Sequence, residues 1–433
     1  MMDAEATSRL QARPRPGQAR VRLRRGGRLG VVLLVALLAP GSGAFTELDV
    51  SRAAPRASHG LGPVVRFLAR DRTAGRDNDT PESLRVQKKL IRALQRLGVG
   101  VNPDVRGPDA YRQPFTESGQ SGTNLLAVMP GRELPDEYVI LGAHYDHLGT
   151  RSGPSGACTS RGTPGGAVCN GATDNASSVS IVLAVGRALR HLPTPPRRSV
   201  VLALWDAEED GLLGSLHYVR NPAVPLAATR AYVNLDIQGS DLLPSLARTS
   251  FAVGAETGGP ALAGIVDDAV GNETLGTLPV SYIFGQLRSD YANFVNAGVP
   301  TVFYGDSTNG CYHTIHDDVT VVDWAKLAVQ SRIAFRTVAA LAETANPPTF
   351  VPPNPALATY ADAVSLAEVF ATARGDLALF PPADQQAIGA VGDAIEQVVL
   401  DGPAAFDAAD VGTLLGAALN GIAAIQRLGC RAP

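Results

Sequence analysis

The sequence has little cysteine and no long apolar run, and both shortages narrow the class of protein. Only four of its 433 residues are cysteines, and no two of them have the C-x-x-C spacing of a zinc finger. The apolar run at residues 29–39 is about half as long as the roughly 20 residues that a membrane-spanning helix needs. A hydrophobic content of 45% is enough for one large core with a smaller appended unit.

The first 44 residues have the composition of an export signal. Eight arginines from Arg9 to Arg28 precede the apolar run, and Pro40 and small residues up to Ala44 follow it. This order is typical of a signal peptide. We therefore expect residues 1–44 to be a signal peptide cleaved near Ala44, with an uncleaved membrane anchor as the alternative. The mature protein is then exported, to the periplasm or outside the cell, and keeps no stable membrane span.

The charge balance argues against nucleic acid as a partner. The whole chain has a net charge of −3. The predicted signal peptide contains eight arginines against Asp3 and Glu5, so its removal takes away six positive charges and leaves about −9. No basic patch remains that would attract phosphate groups.

The four cysteines suit two disulfides, because an exported protein meets an oxidising environment. A bond between Cys158 and Cys169 would close a short loop in a glycine-rich stretch. Cys311 and Cys430 are then the remaining pair, and a bond between them would tie the C-terminal segment close to the candidate site. The sequence alone leaves this second pairing open.

Helical patterns alternate with short apolar runs along most of the chain. Residues 179–192 have apolar side chains at helical spacing, and residues 200–205 form an apolar run typical of a strand buried on both faces. Residues 124–128 and 138–143 are interpreted as two adjacent strands. Strands that alternate with helices favour an α/β fold, here a three-layer α/β/α sandwich with a mostly parallel central sheet.

Composition divides the chain into four segments. After the signal peptide at 1–44, we predict a catalytic domain at 45–345, a proline-rich linker at 346–357 and a helical C-terminal extension at 358–433. The extension is rich in alanine and contains no cluster of acids and histidines. We expect it to be a small appendage that packs on the main domain.

Five separated segments carry acidic residues or histidines where a predicted strand ends or the next loop begins. Because parallel strands end at one edge of a sheet, these side chains are expected to converge there. Carboxylate and imidazole groups in such a cluster suit zinc. The candidate metal ligands are His144, Asp174, Glu209, Asp236 and His313.

The adjacent acids Glu208 and Glu209 are the hardest to explain as structural residues. Two carboxylates at a buried sheet edge are costly unless a cation or a proton compensates them. One of them can bind metal while the other takes a proton from water. Asp174, in contrast, stands before a predicted helix and could simply be its cap. His147 is interpreted as a bystander.

Taken together, the motifs resemble the co-catalytic di-zinc aminopeptidases of metallopeptidase family 28. Each motif alone is weak, but the ordered set is specific, and the resemblance covers residues 61–344. The motifs are Ala74-Gly75-Arg76, His144-Tyr145-Asp146, Asp174-Asn175-Ala176-Ser177, Glu208-Glu209 before a Gly-x-x-Gly-Ser run, Asn234-Leu235-Asp236, Arg288-Ser289-Asp290 and Tyr312-His313 with Asp317.

The resemblance implies that the chain binds two Zn²⁺ ions and that Asp174 bridges them. His144 and Asp236 would complete one site. Glu209 and His313 would complete the other. All five ligand positions are filled in this sequence.

The resemblance also implies catalytic roles for further residues. Glu208 would be the general base, and Asp146 would be the partner that orients His144. Tyr312 would supply a hydroxyl that steadies the tetrahedral intermediate. Arg288 would contact the product side.

Two positions depart from the family pattern. The family often has histidine after Ser-Asp, where this chain has Tyr291. His316 lies three residues after His313 and competes with it as a ligand, although the spacing to Asp317 favours His313.

The function implied is hydrolysis of the N-terminal peptide bond of peptides or proteins with a free N-terminus. Three alternatives stay open. Glutaminyl cyclases resemble this fold but bind a single zinc, and a carboxypeptidase or deacylase of the same family would share the ligands. A non-catalytic peptidase-like ectodomain is disfavoured, because such proteins lose ligands that this chain keeps.

Overall fold

A single mixed sheet runs through the part of the chain that the computed structural model describes, residues 44–354 and 358–430. The predicted signal peptide lies outside these residues except for Ala44. The strand order is β1-β3-β5-β4-β6-β9-β7-β8, and β2 pairs with β3. The strands are β1 (Val99–Gly100), β2 (Arg112–Glu117), β3 (Gln120–Met129), β4 (Leu134–His144), β5 (Arg198–Trp205), β6 (Thr229–Leu235), β7 (Thr249–Val253), β8 (Gly276–Val280) and β9 (Thr301–Gly305).

The centre of the sheet is parallel and its two sides are antiparallel. Strands β5, β4, β6 and β9 are parallel neighbours, whereas β3 is antiparallel to β5, and β7 is antiparallel to β9. All eight residues of β5 are buried, as expected for a strand covered on both faces. Because the central strands share a direction, His144, Trp205 and Leu235 end them at one edge of the sheet.

The predicted adjacency of residues 124–128 and 138–143 is wrong, because β5 lies between their strands. The loop between β3 and β4 does not form a hairpin but passes over the start of β5. Its Arg132 N–H donates to Pro196 O (3.0 Å), and Leu134 N–H donates to Arg197 O (2.9 Å). An apolar strand such as β5 needs a neighbour on each side, and these two strands provide them.

Helices cover both faces of the sheet, which confirms the three-layer α/β fold. Alternate residues of β4 serve the two faces: Val139 and Leu141 pack in the core with α4 and α8, while Ile140 packs in the core with α5 and α7. The helices are α1 (Glu47–Ala57), α2 (Leu61–Leu68), α3 (Pro81–Leu94), α4 (Ser177–Leu189), α5 (Leu213–Arg220), α6 (Gly259–Gly271), α7 (Tyr291–Asn296), α8 (Trp324–Glu343), α9 (Tyr360–Ala373), α10 (Pro382–Asp401) and α11 (Ala408–Arg427).

The last three helices, α9, α10 and α11, pack together as a bundle against the main body. One apolar cluster joins Phe370 and Leu414 of the bundle to Phe284 of the body. A second joins Ile425 to Leu243. Within the described residues, α11 is the one helix that is long and apolar enough to cross a membrane by length and composition. The domain bounds given above remain a prediction.

The expected disulfide is present, and so is the second pairing, which the sequence left open. Cys158 is bonded to Cys169, and Cys311 is bonded to Cys430. The second bond joins the loop after β9 to the residues that follow α11. It therefore ties the end of the bundle to the segment that carries Tyr312 and His313.

Candidate metal centre

The ends of the central strands bring the predicted ligands together at one edge of the sheet. His144 is the last residue of β4, Glu209 follows β5, and Asp236 follows β6 directly. Asp174 lies in the turn Ala172–Ala176 that leads into α4. His313 lies in the loop after β9. The edge at the carboxyl ends of parallel strands is where α/β sheets present their sites.

The two oxygens of Asp174 face two different histidines. His144 Nε2 lies 3.3 Å from Asp174 Oδ1 and 3.3 Å from Asp236 Oδ1. His313 Nε2 lies 3.3 Å from Asp174 Oδ2 and 3.0 Å from Glu209 Oε2. Asp174 is thus shared by two groups of nitrogen and oxygen donors, the arrangement expected of a carboxylate that bridges two cations.

The neighbouring carboxylates favour the charged forms of the two histidines. Burial opposes the charge of His144, but Glu208 and Asp236 raise its pKa well above the ordinary value. Burial likewise opposes the charge of His313, but Glu209 and Asp174 raise its pKa to about 10. Mutual attraction of this kind offsets part of the large cost of burying charges.

The donor set fits zinc. Zinc prefers imidazole and carboxylate ligands, and three groups of such donors lie close enough together to hold an ion. The Nε2 atoms of His313 and His147 are buried and have no hydrogen-bond partner of good geometry. A cation would satisfy such a nitrogen. The groups are His144–Asp174–Asp236, His144–Glu208–Glu209 and His147–Asp174–Glu209.

The two adjacent acids differ in environment. Glu209 is bound on both sides, by His313 at Oε2 and by His147 at Oε1. Burial would raise its pKa, but the two histidines lower it to about 2. Glu208 instead lines the large cavity above the site, and burial together with Asp236 and Glu209 raises its pKa well above the ordinary value. Glu209 is therefore held between two histidines, whereas Glu208 lines the cavity.

Asp146 and Asp317 hold the ligand loops in place. Asp146 Oδ1 lies 3.5 Å from His144 Nδ1, and its Oδ2 accepts from the Glu209 N–H at 3.2 Å. Asp317 accepts from the backbone N–H groups of Thr173 (2.9 Å) and Asp174 (3.0 Å). Groups that orient metal ligands in this way influence a site almost as much as the ligands themselves.

Arg76 is a fully buried cation beneath the site. Its guanidinium donates to the backbone carbonyls of Tyr145 (2.8 Å), Gly171 (2.7 Å) and Asp174 (3.2 Å), and also to that of Asn170. It therefore joins the loop after β4 to the turn that carries Asp174. Its position explains why the motif around Arg76 accompanies the ligands.

His147 was missed as a site residue. Its Nδ1 lies 2.6 Å from Glu209 Oε1, and its side chain is completely buried. The sequence feature that could have indicated His147 is its position three residues after His144, in the loop that follows β4. His316 is exposed. The nearest competitor of His313 is therefore His147, which belongs to one of the three donor groups, whereas His313 belongs to none. His313 Nε2 lies 3.3 Å from Asp174 Oδ2 and 3.0 Å from Glu209 Oε2, and these two contacts favour it as the ligand.

Tyr312 and Arg288 line the cavity side by side. Arg288 Nη2 donates to Tyr312 Oη at 3.1 Å, and the Tyr312 ring stacks on His313 with a centroid distance of 3.8 Å. Burial raises the pKa of Tyr312 well above its ordinary value, so the hydroxyl keeps its proton. Tyr291, where the family often has histidine, is buried and accepts from the Leu287 N–H at 2.8 Å, so it supports the loop that carries Arg288.

The family model for peptidase family M28 matches residues 124–338, which include every candidate ligand. Among curated proteins, the chain is 29% identical to probable glutamate carboxypeptidase VP8 of Zea mays (55% of this chain, 34% of that protein) and 29% identical to leupeptin-inactivating enzyme 1 of Streptomyces exfoliatus (51% and 48%). It is 26% identical to aminopeptidase Y of Saccharomyces cerevisiae (48% and 37%). The matches thus span between about a third and a half of the length of these relatives.

Solved structures confirm the fold. The LapA aminopeptidase of Legionella pneumophila superposes with a TM-score of 0.54 at 17% identity, covering 74% of this chain and 81% of that chain. A glutaminyl cyclase of Bacteroides thetaiotaomicron superposes with a TM-score of 0.51 at 18% identity, covering 65% and 97%. At such identities the likeness concerns the fold alone.

Proposed function

The chain belongs to peptidase family M28, and we propose that it is an exported, zinc-dependent aminopeptidase that removes the N-terminal residue of peptides and proteins. The observation that carries this proposal is the pair of donor groups that share Asp174, one on each of its carboxylate oxygens. A single structural metal would not need a second group of buried donors beside it.

The chain would hold two zinc ions. His144, Asp174 and Asp236 would bind one of them. Asp174, Glu209 and His313 would bind the other. Bound zinc would lower the pKa of the attacking water and polarise the scissile carbonyl.

Glu208 is the general base in this proposal. It lines the cavity, and its Oε2 lies 3.8 Å from His144 Nε2, so it borders the ligands. Glu209, in contrast, contacts two histidines, His313 and His147. Its carboxylate takes a proton from water while the water oxygen bonds to the carbonyl carbon. It then gives that proton to the amine nitrogen as the C–N bond breaks. A general base works best when its pKa lies near the operating pH, and burial shifts the pKa of Glu208 upwards, in that direction.

Tyr312 donates a hydrogen bond to the carbonyl oxygen as negative charge develops on it. Because Arg288 already donates to Tyr312 Oη, the hydroxyl proton is free to point at the substrate. The cation of Arg288 also favours an anionic group next to the tyrosine. Asp146 acts through His144, whose ring it orients.

Removal of N-terminal residues is supported by the negative charge of the site and by relatives. Asp174, Glu208 and Asp236 line the cavity, and such a group of acidic side chains suits the positive amine of a free N-terminus. One of the relatives described above is aminopeptidase Y. Export is supported by the two disulfides, which persist in oxidising compartments, and by the predicted signal peptide.

The direct test compares a free and a blocked amine. Zinc-loaded protein is assayed with leucine p-nitroanilide and with its N-acetyl form. We expect release of p-nitroaniline from the free amine alone. Equal cleavage of both compounds, or cleavage of only the blocked one, would refute aminopeptidase action.

Carboxypeptidase action is the second candidate, and Arg288 is the observation that favours it. Arg288 is the one cation among the residues that line the cavity, so it could bind a substrate carboxylate. One relative is a probable glutamate carboxypeptidase. Release of glutamate from an N-blocked peptide, with a raised KM in Arg288→Leu, would support this candidate over the first.

Glutaminyl cyclase action has the fold in its favour. The second donor group, at Glu209 and His313, argues against a single-zinc enzyme. Conversion of N-terminal glutamine to pyroglutamate by protein with one zinc per chain would move the assignment to a cyclase.

A further inference from the structure

The cavity above the metal centre has two walls of different origin. The space between its walls is about 1380 Å³, a figure that includes open solvent. At its floor lie Asp174, Glu208 and Asp236. One wall comes from the catalytic body and includes Phe251 and Phe303. The other comes from the C-terminal bundle, which lies beyond the residues that the family model matches.

Two helices of the bundle turn a regular apolar face towards the cavity. On α9 the lining residues are at 366, 369, 370 and 373, and on α11 they are at 417, 418, 421, 422 and 425. This spacing of three and four residues places them on a single side of each helix. Ala418 and Gly421 are small, so the cavity extends up to the backbone of α11. Some of the apolar residues of α11 therefore line the cavity.

The bundle is attached to the catalytic body at several points around the cavity. The Asp362 carboxylate accepts from the Ser281 N–H and hydroxyl, both at 2.6 Å. Asp376 accepts from the Ser245 N–H at 2.6 Å. The disulfide of Cys430 with Cys311 fixes the end of α11 next to Tyr312. The disulfide and the polar contacts, together with apolar packing, therefore hold the bundle in position as one wall of the cavity.

Charge is confined to one end of the cavity. The charged residues that line it are Asp174, Glu208, Asp236 and Arg288, all at the metal centre. The other lining residues are apolar except for the uncharged Gln286, Ser307, Thr308 and Tyr312, so they offer no charged partner to a carboxylate, an amine or a phosphate. Such a surface suits a hydrocarbon group, whose burial is favourable in proportion to its area.

We propose that the C-terminal bundle is a specificity element that binds a long apolar group on the carbonyl side of the scissile amide. This inference rests on the proposed function, because the apolar chain extends from a carbonyl held at the metal centre. The group is longer than the side chain of leucine or phenylalanine, since the cavity continues past the catalytic body to α11. Its source is either a long amino-acid side chain or a fatty acyl chain.

Two substrate series measure this preference and separate the two sources. One contains p-nitroanilides of free α-amino acids with unbranched side chains from methyl to decyl. The other contains N-acyl glycines with acyl chains from acetyl to lauroyl. In the series that matches the source of the apolar group, kcat/KM should rise with chain length, by up to about fourfold for each buried methylene. A rise among the p-nitroanilides would indicate an amino-acid side chain, and a rise among the N-acyl glycines would indicate a fatty acyl chain. A maximum at leucine, with decline beyond it in both series, would overturn the inference.

Ala418→Trp tests the bundle wall, and Ala409→Trp is the matched control. Ala418 lines the cavity, whereas Ala409 is exposed on the same helix. Ala418→Trp should lower kcat/KM for the longest substrates at least tenfold more than for the methyl substrate, about the effect of two methylenes. Ala409→Trp should preserve the full rise with length. Equal loss for short and long substrates in Ala418→Trp would count against a role in specificity.

Binding of a dansyl-labelled twelve-carbon fatty acid provides a readout that does not depend on turnover. The wild-type chain and Ala409→Trp should bind it, and Ala418→Trp should bind it at least tenfold more weakly, about the effect of two methylenes. No binding by the wild type would refute the apolar site. Binding together with failure to cleave any substrate, including leucine p-nitroanilide, would refute the proposed aminopeptidase while the apolar site stands.

Discussion

The two ends of the cavity are fixed in opposite ways. At the metal end, buried charged groups hold one another through short polar contacts, with Arg76 and Asp317 anchoring the turn that carries Asp174. At the bundle end, helices pack through apolar side chains and are tied to the body by Cys311–Cys430. In this account the sheet positions the metal ligands and the catalytic residues, and the C-terminal bundle determines which substrates bind. Changes at the first end should affect all substrates, and changes at the second should affect only some.

The largest effect is expected from Asp174→Asn. A neutral amide has only one oxygen, so it cannot serve both donor groups. We expect loss of both zinc ions and of measurable turnover on every substrate. Asp236→Asn is the matched comparison, because Asp236 contacts only the His144 side and should affect mainly one ion. Metal analysis after dialysis distinguishes the two variants, and equal zinc content in both would contradict a bridging role.

Glu208→Gln should lower kcat about 10²- to 10⁴-fold, the usual contribution of a general base. Zinc content should be unchanged, and the loss should be the same for short and long substrates because the base acts on water. Glu368→Gln, an exposed change on α9, is the control and should retain wild-type turnover. Normal activity in Glu208→Gln would remove Glu208 from the mechanism.

Loss of the tether should act at the bundle end. Cys311→Ser with Cys430→Ser opens a long loop and should lower the free energy of unfolding by roughly 2–5 kcal/mol. The ratio of kcat/KM for long over short substrates should also fall, because α11 is no longer fixed beside Tyr312. Cys158→Ser with Cys169→Ser is the control: it should cost stability without changing that ratio. The same fall in the ratio for both pairs would show that the tether has no special role.

The smallest effect concerns the pH dependence of the zinc-free protein. Folding raises the pKa of His313 from its ordinary value to about 10, through Glu209 and Asp174. The stabilisation is therefore complete below the ordinary pKa of about 6.5 and is lost as the pH rises through about 10. Denaturant unfolding of zinc-free protein should show this decline, and His313→Asn should show less of it. An equally steep decline in both proteins would assign it to other groups.

Residues whose role depends on local position were predictable from the sequence. His144, Glu209 and Asp236 follow apolar strands, so their place at the sheet edge follows from the pattern alone. The structure brings these residues together with Asp174 and His313, and it places Tyr312 and Arg288 on the cavity. The specific roles of these residues remain proposals.

Features that depend on long-range packing were not predictable. The pairing of β3 and β4 with β5 rather than with each other is decided by which strands need covering on both sides, and a single strand does not reveal its neighbours. His147 looked like a bystander because its burial against Glu209 depends on how the loop after β4 folds. The alanine-rich pattern of α11 predicted a helix but did not indicate that one face of it lines the cavity.

The most direct measurement is a crystal structure of the zinc-loaded protein with anomalous diffraction recorded at the zinc absorption edge. The account predicts two anomalous peaks, one on each side of Asp174: the first among His144, Asp174 and Asp236, the second among Asp174, Glu209 and His313. A single peak at His144, or a second peak bound by His147 in place of His313, would contradict it.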